Sequence, residues 1–384
     1  MVTESARPET ELLLSCASPA GGEQRAERIR MLSGQPLDWQ YLLHMATAHA
    51  VAPLLYWGLK AVRPEAIPAP LAGSFQDNTR NSVQLTAELF QLMDLFTREG
   101  IQVLPFKGPT LAVAAYGNLA LREFVDLDLL VHKKDALRAR GVLLQNAYRT
   151  SLQLNTRWEE DYLRAYDEFG LLGPKGYPLV ELHWAVTPRF FSVPLDIAQF
   201  WGRAVSVTLG NREVPAPGPE DLLLVLCLHA TKHCWPRLSM VSDLAWLMAA
   251  ANIRWDDVLE RARGLGCLRM LFLGTELAAR LLGVSLAEPI VRSVAADRSV
   301  PRLAAAVTAR LLQNQGAESG ILRAAAFHMR AREHWRDRVR YFVRLTTRVG
   351  VEDWQAADLP SSLAFLYPML RLPRLLRKYG MRIP

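Results

Sequence analysis

Cysteine is scarce in this chain. Cys16, Cys227, Cys234 and Cys267 are scattered through 384 residues with no CxxC pair and no regular spacing. No disulfide framework is expected from them, and a reducing cytoplasm is the expected location. Long apolar runs are also missing. The best, Leu222 to Leu228, stops at His229, well short of the roughly 20 residues a membrane-spanning helix needs. The N-terminus lacks the basic start of a signal peptide, since Glu4, Glu9 and Glu11 surround a very short apolar run, Leu12 to Leu14. There is no internal repeat and no low-complexity tract. With half its residues hydrophobic and 22% charged, the chain can bury a core and is not a disordered protein. The net charge of +7 suits an anionic partner. Much of that excess lies in the arginine-rich C-terminal third, so it says little about a site elsewhere.

What is present concentrates in Ile101 to Val131, IQVLPFKGPTLAVAAYGNLALREFVDLDLLV. An apolar run (Ile101, Val103, Leu104) breaks at Lys107-Gly108-Pro109, and a helix is expected over Thr110 to Tyr116. A second apolar run, Phe124 to Val131, carries Asp126 and Asp128. Residues two apart on a strand share a face. The aspartates therefore project together, and Val125, Leu127, Leu129 and Val131 are expected to face a core. Paired carboxylates on an apolar strand repel, and a divalent cation with oxygen ligands is the simplest compensation.

For Asp-Leu-Asp alone, a solvated strand face is the plain reading. Three further features favour a site. Lys107-Gly108 falls at a strand-to-helix turn, where backbone N–H groups and a lysine can hold phosphate. Arg122 is a second phosphate ligand of this kind. Val180-Glu181-Leu182-His183-Trp184 offers a third carboxylate on another strand, with His183 on the same face as Glu181 and able to touch bound phosphate or an acceptor.

The pattern KGxxLAxxxY, then R, then DLDLLV, then VELHW resembles the uncharacterised bacterial nucleotidyltransferases of the polymerase-β-like superfamily. The likeness extends more weakly to HATKH, to Ser242-Asp243-Leu244 and to the C-terminal LPSSLAFLYPMLRLPRLLRKYG. Better-known members have Gly-Ser at the turn and a shorter gap before the aspartates. The resemblance implies an α+β fold, a small mixed β-sheet nucleotidyltransferase core flanked by N-terminal and C-terminal helical regions. It implies Mg2+, or Mn2+ in its place, on Asp126, Asp128 and Glu181, and an NTP, with ATP expected first, on Lys107, Gly108, Arg122 and His183. The activity implied is transfer of a nucleoside monophosphate to an acceptor with release of pyrophosphate. A small molecule or peptide is favoured as that acceptor over nucleic acid.

The chain divides in expectation into a helical region (1–100), an α/β core (101–215) and a second helical region (220–384). Residues 1–35 read as a loose leader with one helix, Glu23 to Leu32. Asp38 to Leu59 reads as a helix interrupted at Pro53, and Phe75 to Glu99 as a long amphipathic helix. Within the core, Lys134 to Asn146 reads as a helix. Arg149 to Leu154, Leu171-Leu172, Leu179 to Trp184 and Ala204 to Leu209 read as strands, and Gly173 to Gly176 as a turn. His44 and His49 read as packing or surface residues. His229 and His233 share a helical face but lack the glutamate of HExxH, so they are read as a cleft wall and not as a zinc site. Eight arginines lie between Arg323 and Arg348; a solvated helix is the plain reading, a nucleic-acid or membrane face the other. Two other functional readings stand beside transfer: a nucleotide-binding or regulatory module without catalysis, and a basic RNA- or membrane-binding scaffold.

Overall fold

The computed structural model describes residues 7–313 except 153, 175 and 177, then 320–356 and Tyr367. Five helices lead the chain: α1 (Pro8–Ala17), α2 (Glu23–Ser33), α3 (Trp39–Ala48), α4 (Ala52–Val62) and α5 (Ala69–Arg98). The first of them corrects the expectation of a loose leader. Leu12, Leu13 and Cys16 of α1 are buried, because its apolar face packs on α4. Pro53 does not interrupt a helix either. The break lies before it, at Ala50 with φ +52°, and Pro53 sits in the first turn of α4, where a missing N–H costs nothing.

The sheet follows. Strand β1 (Val103–Pro105) leads through Phe106 and Lys107 into α6 (Gly108–Tyr116), and β2 (Asp126–Val131) precedes α7 (Ala136–Gln145). Helix α8 (Thr156–Ala165) comes before β3 (Glu168–Leu172) and β4 (Leu179–His183). The strand order is β1-β2-β4-β3, with β2 and β4 parallel and the outer pairs antiparallel. This is a small mixed sheet flanked by helices, an α+β fold. Gly108, at φ +55°, occupies the left-handed region where an L side chain is strained, so the tight entry into α6 depends on glycine. Leu127, Leu129, Val131, Val180, Leu182 and Trp184 point together into a core that also takes Leu89, Leu92 and Phe96 of α5. Val125 does not join them. It precedes the strand and is 66% exposed.

Three further elements depart from expectation. Helix α8 occupies a stretch between the expected strands at 149–154 and 171–172 for which no element was expected, with Asn155 accepting from the Trp158 N–H as its cap. Arg149 makes only an isolated bridge to Leu172, and the described residues of 149–154 form no strand. The expected lone strand at 204–209 is half of a hairpin, β5 (Val205–Leu209) with β6 (Arg212–Ala216).

From α9 (Pro219–Lys232) onward every described element is helical: α10 (Leu238–Ala250), α11 (Trp255–Leu265), α12 (Leu268–Leu282), α13 (Glu288–Ala296), α14 (Ser299–Leu312), α15 (Ile321–Arg330), α16 (Trp335–Thr346) and α17 (Val351–Ala356). The N-terminal and C-terminal helices share one hydrophobic core, which also receives Leu111, Ala115 and Tyr116 of α6. His49 ties them, with Nε2 at 3.0 Å from the Leu311 carbonyl and Nδ1 accepting from the Leu238 N–H. No helix among the described residues is long and apolar enough to cross a membrane. Lys175 of the expected turn, and residues 359–380 of the C-terminal pattern apart from Tyr367, lie outside the described residues.

Candidate active site

Alternation along two parallel strands builds the site. Because Asp128 is paired in register with Glu181, the two carboxylates stand side by side on the sheet face opposite the core. His183, two residues further along β4, shares that face. Its Nε2 lies 3.2 Å from Asp128 Oδ1 and 3.3 Å from Glu181 Oε2. Glu168 comes from the register partner of His183 on β3, with Oε2 3.3 Å from Nδ1 but without hydrogen-bond alignment. Beyond His183 the same face turns apolar, with Leu104, Phe106, Leu130 and Val225 packed together. Phe106 meets the His183 ring edge-on at 5.1 Å. The polar cluster is thus closed on one side by dry packing.

A cleft of about 740 Å³ opens over this face, and Lys107, Arg122, Asp126, Asp128, Glu181 and His183 all line it. Gly108 does not. It lies beneath, where a Cβ would stand 3.5 Å from the Asp126 carbonyl oxygen. The opposite wall is α9 and the start of α10, contributing His229, Lys232, His233 and Asp243. The His229 and His233 rings are 4.6 Å apart. Desolvation and then neighbouring cations, Lys107 among them, hold both below the ordinary imidazole range, so they face the cleft as neutral groups.

Both cations expected to hold phosphate are engaged by carboxylates. Lys107 Nζ is 2.9 Å from Asp128 Oδ1, with both side chains buried. Arg122 binds Asp243 in a fork, Nε to Oδ1 at 2.9 Å and Nη2 to Oδ2 at 3.1 Å, and the Tyr116 hydroxyl donates to the same Oδ1 at 2.8 Å. Burial opposes the Arg122 charge, yet the paired Asp243 outweighs it and raises the pKa. Arg237 also lines the cleft, near Glu123, whose carboxyl burial pushes up to about 7 while Arg237 works against that rise. Lys232 pairs with Asp167 at 3.3 Å.

Electrostatics separate the two aspartates. Burial first, then the charges of Asp128 and Glu181, push Asp126 up to about 6. Asp128 is also desolvated, but Lys107 and His183 hold it well below the usual carboxylate range. Burial works against a charged His183, and its carboxylate partners nevertheless raise it to about 9. The ligand atoms of Asp128, Glu181 and His183 lie within 4.8 Å of one another, a separation one cation can span. The donor set, two carboxylates and an imidazole, fits a divalent ion of the Mg2+, Mn2+ or harder transition-metal type. Asp126 stands on the same face outside that group of three.

Glu168, Arg237, Asp243 and Tyr116 were not read as site residues, and the tie of Arg122 to Asp243 was not foreseen. Glu168 sits in a stretch without clear periodicity. The partnership of Arg122 with Asp243 joins residues 121 apart, which no local pattern reveals.

A small mixed sheet presenting clustered carboxylates to a cleft with cationic walls is the arrangement expected of an enzyme acting on polyphosphate substrates. The chain belongs to the family described as uncharacterised nucleotidyltransferase, whose model matches residues 35–283, more than half of the sequence. That span contains both walls of the cleft. No curated protein and no solved structure matches the chain.

Proposed function

We propose that this protein transfers a nucleoside monophosphate from an NTP, ATP first among them, to an acceptor hydroxyl and releases pyrophosphate. The observation that carries the reading is the in-register pair Asp128 and Glu181, with His183 between them and Asp126 on the same face. The order β1-β2-β4-β3, with Asp-x-Asp on β2 and a third carboxylate opposite on β4, supports placing the chain in the polymerase-β-like superfamily. It also supports residues 101–215 as the catalytic unit.

In this reading Asp128, Glu181 and His183, with Asp126 beside them, would hold Mg2+ or Mn2+. When bound, such an ion supplies Lewis-acid neutralisation of the triphosphate. The acceptor oxygen forms a bond to the α-phosphorus as the bond from that phosphorus to the β-bridging oxygen breaks. Lys107, which borders the carboxylates through Asp128, and Arg237 hold the departing pyrophosphate. Glu168, raised from its ordinary value chiefly by burial, takes the acceptor proton at Oε2, with Glu181 the alternative. Arg122 acts at one remove, fixed by Asp243 so that it faces the phosphates. The cleft volume suits a small-molecule or peptide acceptor better than a folded nucleic acid. Four buried free cysteines support a reducing cytoplasm.

One observation favours a second reading, nucleotide binding without transfer: Lys107 and Arg122 are both neutralised within the protein. Pyrophosphate release measured over a panel of hydroxyl acceptors decides. Transfer requires release by the wild type and loss of roughly 100-fold or more in Asp126→Asn and Asp128→Asn. Retained release in both variants would sink the mechanism. Saturable NTP binding with no release under any acceptor selects the second reading.

A further inference from the structure

The arginine-rich C-terminal segment does not form one basic stripe. Arg332 is 1% exposed; it donates to the Phe191 and His328 carbonyls and stacks on Phe191 and Tyr341. Arg338 donates to the Arg332 carbonyl, and Arg340 pairs with Asp337. These are structural roles. Arg344 of α16 and Arg348, just past the end of that helix, behave differently: they line a cavity of about 440 Å³ that Arg164 of α8 and Arg189 of the single turn Arg189–Phe191 also line. Arg164, Arg189 and Arg344 reappear in the lining of an adjoining cavity of about 220 Å³, where Lys133 joins them.

Lys133, Arg164, Arg189 and Arg344, from four separate elements, therefore line these cavities beside Arg348, and among the described residues the charge around those four does not balance. Arg164 is paired, with Glu160 and Asp161 of its own helix. Lys133, Arg189 and Arg344 have no carboxylate partner among the described residues. Arg344 donates instead to the Arg189 backbone carbonyl at 3.3 Å, which ties α16 to that turn. After burial, Arg164 and Arg189 are what depress the Lys133 pKa, and Arg189 and Arg340 that of Arg344. Like charges held this close cost stability unless an anion joins them. The cavity floor is aromatic: the Arg348 guanidinium lies 4.6 Å from the Phe190 ring centre, and Trp354 completes that side.

We propose that these adjoining cavities form a second anion site, separate from the carboxylate cleft, that binds a small phosphate-bearing ligand. Guanidinium forks match phosphate oxygens, a dianion neutralises the excess cations, and the aromatic floor accepts an apolar or planar body. Convergence on a cavity, in place of a line of cations along a surface, disfavours an extended nucleic acid. The inference does not depend on nucleotidyl transfer.

The test is calorimetric titration with inorganic phosphate and with phenyl phosphate, in EDTA so that no divalent ion brings phosphate to the carboxylate cleft. One-to-one binding is expected in the wild type, in Asp128→Asn and in Arg336→Gln, which removes a cation of the same helix outside the cavities. The Arg189→Gln, Arg344→Gln double variant should bind roughly tenfold or more weakly, and Arg344→Lys should recover part of the loss. Circular dichroism melts check that the variants fold. Tighter binding of phenyl phosphate identifies a monoester as the ligand, and equal binding identifies free phosphate. Absence of saturable binding to both probes, unchanged binding in the double variant, or binding of an RNA oligomer where neither probe binds would each overturn the proposal.

Discussion

The Lys107 ammonium stands 2.9 Å from Asp128 Oδ1 in the wall of the cleft, and the two side chains are 9% and 2% exposed. A lysine here compensates the aspartate when no other cation does. Lys107→Met leaves Asp128 buried without that partner, and losing one member of such a pair costs about 3–5 kcal/mol. The expected outcome in urea unfolding is a loss in that range, recovered in part by millimolar Mn2+ or Mg2+, with a larger metal-dependent gain than the wild type shows. Equal metal effects in the two proteins would separate Lys107 from the cation site.

Asp243 fixes one cleft wall to the other. It carries the Arg122 fork and the Tyr116 hydroxyl at 8% exposure, so Asp243→Ala should destabilise by about 3 kcal/mol or more. Tyr116→Phe, which removes one hydrogen bond, should cost about 1 kcal/mol. A double-mutant cycle between Asp243→Ala and Arg122→Met reads their coupling. Additive losses would mean that the fork is not a working contact.

His328 gives stability a pH dependence. Its Nδ1 meets the Tyr341 hydroxyl at 2.8 Å, and its Nε2 lies 3.1 Å from both the Thr231 and Lys232 carbonyls. That network suits a neutral ring with the proton on Nε2. Burial, then Arg332, pushes its pKa down from 6.5 to about 4. The unfolded chain therefore binds the proton more readily. The contribution is complete above pH 6.5 and is lost as pH falls toward 4, up to about 3 kcal/mol for a shift of this size. His328→Gln should be less stable at pH 7 and should lose less stability on acidification over that window. Parallel pH profiles for the two proteins would contradict the assignment.

The sheet's site face was legible because strand alternation is local. Asp126, Asp128, Glu181 and His183 fall where period two puts them, and the α+β class follows from the same pattern. Val125 was misplaced because the strand begins two residues after Phe124, at Asp126. Helix α8 was missed in a polar stretch whose ordering comes from a cap and from packing of Tyr162 against Phe169 and Trp184. Strand β6 was hidden by Pro215 and Pro217, which a two-stranded hairpin tolerates at its edges. The engagement of Lys107 by Asp128 and of Arg122 by Asp243 is tertiary, and sequence spacing carries no trace of it.

The central claim, that Asp128 helps to hold a divalent cation which in turn holds an NTP, is tested most directly by titrating the protein with ATP, with and without Mg2+ or Mn2+, and repeating the titration on Asp128→Asn. The account predicts metal-dependent binding by the wild type, weakened roughly tenfold to 100-fold or more in the variant. Binding that is unaffected by metal and by Asp128→Asn would contradict it and detach the carboxylate face from nucleotide recognition.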